Sequence, residues 1–132
     1  FNKYGVKGKV FFARKANKCK SFVHAAKENG FGIDTASLNE IKDCIHSGLP
    51  VEKITVTAAV KNRELLSFVV AHQIPIILDN EDECELLHQI LDEEDQTLQV
   101  GFRISGFLHQ EEKLYSRFGF DIDEIFDFIK SA

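Results

Sequence analysis

Four charged side chains stand within or close behind apolar runs, and their types suit chemistry between an amine and a carbonyl: Lys15, Asp34, Glu40 and Arg103. Lys15 follows the run Val10-Phe11-Phe12-Ala13. An amine partly withdrawn from water is favoured in its neutral form, the form that condenses with a carbonyl to a Schiff base. The plainer alternative is a lysine reaching from a strand end into solvent. Strand alternation sets Phe11, Ala13 and Lys15 on one face, opposite Val10, Phe12 and Arg14. Asp34 comes directly after Phe31-Gly32-Ile33, so its carboxylate needs a partner or water. Carboxylates at a strand end and at the next helix start are suited to neutralising a lysine or an amine substrate. Glu40 has a second explanation, because Ser37-x-x-Glu40 is a capping box. Arg103 sits inside the apolar stretch 100–104, where a buried guanidinium requires an anion. Asp34, a bound phosphorylated ligand or some other acid would meet that need.

Other chemistries have thinner support. Cys84 and His88 are four apart on one helical face, yet no second pair completes a four-ligand zinc set, and Cys84 falls in a core-facing slot. No HExxH, G-x-S-x-G, GxGxxG or GxxxxGK motif occurs, which argues against the corresponding metalloprotease, hydrolase, dinucleotide and P-loop sites. Residues 1–20 carry seven basic side chains and no acid, with Tyr4, Phe11 and Phe12 interleaved. The phenylalanines belong to an apolar strand and the net charge is -5, so no nucleic-acid partner is expected. Residues 79–95 carry nine acids, read as a solvated helix face and loop.

The elements that must position these residues follow a repeating rhythm. β-favouring apolar runs recur at residues 10–13, 31–36, 54–59, 74–78 and 98–104. Helical spacing fills residues 21–29, 38–47, 63–72, 81–91 and 122–130. Ser37 with Glu40, Asn80 with Glu83 and Asp121 with Glu124 form three capping signals at helix starts. Five consecutive βα units require a parallel sheet. Two architectures accept them: a complete doubly wound sheet, or five units of a (β/α)8 barrel, which takes about 250 residues when whole. In either, active groups gather at the C-terminal ends of strands, here residues 14–18, 34–37, 59–62, 79–80 and 103–118.

Bulk properties set the outer limits. At 132 residues, 44% hydrophobic and 28% charged, the chain suits one globular domain. No apolar run approaches the ~20 residues of a bilayer span, so no membrane partner is expected. The odd, widely spaced Cys19, Cys44 and Cys84 suit free thiols and a cytoplasmic location. The start at Phe1 and the absence of methionine lead us to expect an excised piece of a longer protein.

Phe12-Ala13-Arg14-Lys15-Ala16-Asn17 resembles the cofactor-lysine segment of the fold-type III pyridoxal-phosphate decarboxylases, the ornithine and diaminopimelate decarboxylase family. Four more segments resemble that family in order: Ile33-Asp34-Thr35-Ala36-Ser37-Leu38-Asn39-Glu40-Ile41, Gly48-Leu49-Pro50-Val51-Glu52-Lys53-Ile54, Val100-Gly101-Phe102-Arg103-Ile104 and Ser116-Arg117-Phe118-Gly119-Phe120. The departures are Arg14, where the family is usually apolar, Lys18-Cys19-Lys20, unlike the alanine racemase pattern, and Ser105-Gly106-Phe107.

The resemblance implies the barrel: an α/β chain whose residues 1–132 form a partial pyridoxal-phosphate-binding domain of five βα units. It implies that Lys15 holds pyridoxal 5'-phosphate as a Schiff base. Asp34 and Glu40 then lie near that amine, and Arg103 lies on the cofactor side of the mouth. The expected reaction is decarboxylation of an amino acid by a homodimeric full-length protein. The family's later phosphate-binding and pyridinium-binding segments and its C-terminal β-domain do not appear, so the piece alone is expected to be inactive and, with open strand edges, to self-associate. A non-catalytic regulatory relative and a standalone doubly wound binding domain are the competing readings.

Overall fold

In the computed structural model, residues 2–109 and 111–131 are described, with side chains given for all of these but Asn2 and Ser131. Five strands alternate with helices in the expected order. They are β1 (Phe11–Ala13), α1 (Lys20–Glu28), β2 (Gly32–Thr35), α2 (Leu38–His46), β3 (Ile54–Val56), α3 (Arg63–Ala71), β4 (Ile76–Leu78), α4 (Glu81–Glu94) and β5 (Val100–Phe102). A hairpin, β6 (Phe107–His109) and β7 (Glu112–Leu114), precedes the last helix, α5 (Ile122–Ser131).

Local chemistry explains the helix starts. Ser37 Oγ accepts the Glu40 N–H (3.3 Å) while Glu40 Oε2 accepts the Ala36 N–H (2.8 Å). Asn80 and Glu83 repeat the arrangement: Asn80 Oδ1 accepts the Glu83 N–H and Glu83 Oε2 accepts the Asp79 N–H. At α5 Glu124 Oε2 accepts the Asp121 N–H (2.7 Å). A fourth cap was not anticipated: Asn62 Oδ1 takes the Leu65 N–H at the head of α3. These bonds satisfy N–H groups that a first helical turn leaves without partners. Gly30 and Gly48, at φ +69 and +74, turn the chain out of α1 and α2.

The large sheet has the order β1-β2-β3-β4-β5 with every neighbouring pair parallel. A doubly wound sheet reverses its strand order at a switch point; this sheet never does, so the fold is a segment of a barrel wall. Pairing is thinnest between β3 and β4, where Val56 opposite Ile76 is the one registered pair. Along the outer face Ile33, Ile54, Val56, Ile76 and Leu78 are buried against Val23, Ile41, Cys44, Leu66, Val69, Leu87 and Ile90 of the helix layer. Burying each such aliphatic side chain is worth about 1.5–3 kcal/mol.

Most strands are shorter than their apolar runs. Residues 57–59 leave the ladder after β3, and residues 14–16 wind into a 3₁₀ turn after β1. That turn breaks the alternation that placed Lys15 on the face of Phe11 and Ala13. Two helical faces are also less buried than their spacing implies. Phe22 stays 42% exposed and stacks on Phe12, and on α5 Ile125 is buried while Phe126 and Ile129 remain exposed. Among the described residues no helix is long and apolar enough to cross a membrane.

Candidate functional site at the C-terminal rim of the strands

Side chains of alternate residues point to opposite faces of a strand, so the residues between the outer-facing core positions line the inner face. There β2 carries Asp34, opposite Ala13 on one side and Thr55 on the other. Thr57, just past β3, donates its hydroxyl to Asp34 Oδ1 at 2.6 Å. Asp79 follows β4 and Arg103 follows β5. The last inner layer before the rim is therefore polar, where barrel interiors are ordinarily filled by branched apolar residues.

Asp34 is the electrostatic centre of this layer. Burial raises its carboxyl pKa above the ordinary value, and this effect outweighs the Thr57 hydrogen bond that lowers it. The positive charges of Lys15 and Arg103 both pull it down, and Glu40 pushes it up. Lys15 itself is exposed, in the 3₁₀ turn just past β1.

Of the partners left open for Arg103, the structure shows the third, another acid. Its side chain is 29% exposed, not buried, and Nε lies 3.0 Å from Asp79 Oδ1 rather than on Asp34. The spacing is that of an ion pair, although Asp79 Oδ1 receives no well-aligned hydrogen bond. The guanidinium also packs 5.1 Å over the Phe118 ring. Glu40 is 7% exposed and does the work of the α2 cap; its other oxygen lies 3.9 Å from Lys18. Arg14 turns away from the rim into the helix layer, where it is 3% exposed and Nη2 donates to Asp43 Oδ2 at 2.8 Å. Its Nε and Nη1 are buried without a partner.

The acidic stretch 79–95 is solvated only in part. Glu81, Asp82, Glu85 and residues 92–95 are exposed, but Asp79 and Glu83 are buried around Lys61. Lys61 Nζ donates to Ala58 O (2.7 Å), Asp79 Oδ2 (2.9 Å) and Glu83 Oε1 (3.1 Å). Lys61 falls within residues 59–62, one of the strand-end segments where active groups were expected, but it was not singled out. The available signal was Asp79, an acid directly after the apolar run 74–78. The β6–β7 hairpin was missed as well, being short and exposed throughout. Among the described residues no cluster of three or more His, Cys, Asp or Glu is placed to hold a metal ion. His88 instead meets Asp92 on the surface of α4.

Sequence comparison matches residues 1–132 to the family described as pyridoxal-dependent decarboxylase, pyridoxal binding domain. The chain belongs to this family. A diaminopimelate decarboxylase of Bacillus methanolicus is 29% identical over 130 residues, covering 92% of this chain and 30% of the relative. A second, from Zymomonas mobilis, is 28% identical over 102 residues, 75% of this chain and 24% of that protein. Among solved structures, diaminopimelate decarboxylase from M. jannaschii in co-complex with L-lysine superposes with a TM-score of 0.83 at 23% identity, over 100% of this chain and 34% of that one. The arginine decarboxylase of Paramecium bursaria Chlorella virus gives 0.75 at 21% identity, over 92% and 32%. These likenesses establish a shared fold with barrel decarboxylases. The chain spans about a third or less of the length of these relatives.

Proposed function

We propose that this pyridoxal-binding domain serves an amino-acid decarboxylase in which Lys15 bonds covalently to pyridoxal phosphate. The observation that carries the reading is the convergence of the Lys15 and Arg103 charges on half-buried Asp34, inside a polar layer at the strand ends. The residues suit the group. An exposed lysine stands at the rim, and no hydrogen-bond or ion-pair partner for the two terminal amino groups of Arg103 lies among the described residues. The group needs an amine for its aldehyde and hydrogen-bond donors for its oxygens.

When bound, pyridoxal phosphate supplies a ring that accepts the electrons released as the amino acid's α-carboxylate leaves as carbon dioxide. The chain's own residues prepare and orient. Lys15 supplies the nucleophilic nitrogen. Asp34, fixed by Thr57 and within electrostatic reach of Lys15, carries a carboxylate that would offset the positive charge of the lysine amine. Arg103, paired through Nε with Asp79, offers its guanidinium donors from the strand end. Glu40 acts at a distance, through α2 and through its charge on Asp34.

Borohydride reduction of the full-length protein after incubation with pyridoxal phosphate tests this. Peptide mass analysis should find the reduced adduct on Lys15. An adduct on another lysine, or none, overturns the assignment, and the absence of any adduct favours a non-catalytic relative. We further propose that the isolated chain self-associates through the unpaired edges of β1 and β5. A clean monomer at every concentration in gel filtration would contradict that.

A further inference from the structure

We propose that Lys61 is a positioning residue for Arg103, acting through Asp79. The proposal rests on reading the rim as a pyridoxal phosphate site. Lys61 stands in the loop between β3 and α3 with its side chain 0% exposed. An ammonium has three N–H donors, and here all three are used, on Ala58 O, Asp79 and Glu83. Such a cluster is poorly explained by stability alone, since well-packed apolar groups of the same volume often serve a fold as well or better. Its location supplies another explanation.

Asp79 is held at two points. Its backbone N–H donates to Glu83 Oε2 at 2.8 Å, and its Oδ2 receives Lys61 at 2.9 Å. That leaves Oδ1, which lies 3.0 Å from Arg103 Nε. Glu83 is itself anchored in the capped first turn of α4, so the chain of contacts runs from a helix end through Lys61 and Asp79 to a guanidinium at the mouth. The four charges sum to zero, two cations against two carboxylates. Without Lys61 the carboxylates of Asp79 and Glu83 face each other with no cation between them, and their repulsion displaces Asp79. That displacement removes the fixed carboxylate that pairs with Arg103 Nε. Phe118 alone, under the guanidinium face, does not set its rotation about that face.

The test uses the full-length protein and two variants, Lys61→Met and the charge-balanced Lys61→Gln with Glu83→Gln, the second guarding against a failure to fold. Arginine side-chain nitrogen NMR reads the Arg103 Nε–H directly, without cofactor. Pyridoxal phosphate affinity is measured by absorbance titration in wild-type and Arg103→Ala backgrounds. Loss of Lys61 should shift or broaden the Nε–H signal and weaken cofactor binding about tenfold, the size expected for one charge-assisted hydrogen bond. In the Arg103→Ala background the same loss should change affinity less than about twofold. An unmoved Nε–H signal, or an equal affinity loss in both backgrounds, overturns the proposal, because a purely structural lysine would act independently of Arg103. A wild-type protein that takes up no pyridoxal phosphate would sink the cofactor reading while leaving the NMR result to decide this one.

Discussion

Glu40 can be interrogated so that its part in the fold separates from any part in the chemistry. Its Oε2 accepts the Ala36 N–H at 2.8 Å, a charge-assisted bond, and its carboxylate sits in the first turn of α2. Glu40→Ala removes both. Ala36 is only half-buried, so water recovers some of the loss, and the bond contributes about 1.5 kcal/mol at the lower end for charged acceptors. The lost charge at a helix N-terminus adds about 0.5 kcal/mol. The expected cost is about 2 kcal/mol, which with a urea m-value of about 2 kcal/mol/M lowers the unfolding midpoint by about 1 M. Glu40→Gln keeps a neutral acceptor in the same place and retains roughly half of that contribution, for a drop of about 0.5 M. Ser37→Ala removes the reciprocal bond and costs about 1 kcal/mol. Because both residues belong to one box, the Ser37→Ala, Glu40→Ala double variant should be less destabilised than the sum of the two. Far-UV circular dichroism during urea unfolding measures all four. Glu40→Gln and Glu40→Ala variants with the wild-type midpoint would refute the capping argument, and strictly additive losses would refute the claim that one box holds both.

Asp34→Asn keeps the acceptor for Thr57 and removes a charge that burial disfavours. Because the folded-state pKa of Asp34 is raised, the folded protein binds this proton more tightly than the unfolded chain, and ionisation costs stability above that pKa. The Asn variant should therefore melt higher at neutral pH, with the advantage disappearing as pH falls below the ordinary value of 3.8. An equal difference at pH 3 and pH 7 would refute it. Gly32→Ala should cost about 3 kcal/mol in urea unfolding, since its Cβ would come within 2.4 Å of the Phe11 ring and 2.8 Å of the Lys53 carbonyl; a stability within 0.5 kcal/mol of wild type would contradict the packing of β1 on β2. Burial pushes the thiols of Cys44 and Cys84 up to about 11, whereas hydrogen bonding to Ser21 lowers that of exposed Cys19. Ellman's reagent at pH 8 should titrate one thiol quickly and two more only on unfolding; three fast thiols would refute it.

Much of the frame was legible because several signals agreed at each element. Ser37 and Glu40 announced α2 before its apolar spacing was counted, and Gly48 marked its end. What stayed hidden depended on contacts between residues distant in sequence. Asp34 was identifiable as a polar group at a strand end, but Thr57, 23 residues away, supplies its partner. Arg103 was rightly suspected of needing an anion, and that anion proved to be Asp79, which had been assigned to a solvated acidic run. Lys15 lost its inferred strand face because residues 14–16 coil into a 3₁₀ turn, a choice that alternation does not reveal. The hairpin after β5 exposes nearly everything it contains, so it left no burial pattern to detect.

The sequential strand order bears on how such a chain is made. Each strand of the sheet pairs with the one synthesised just before it, so closing each new contact spans only one βα unit, about 20–25 residues. Short closures of this kind cost little entropy and favour rapid folding. A chain leaving the ribosome from its N-terminus can dock β2 on β1 and β3 on β2 as each emerges, without waiting for a distant partner. The single registered pair between β3 and β4 is then the step at which a growing wall has least to hold it, and the place where a pause in assembly should first become visible.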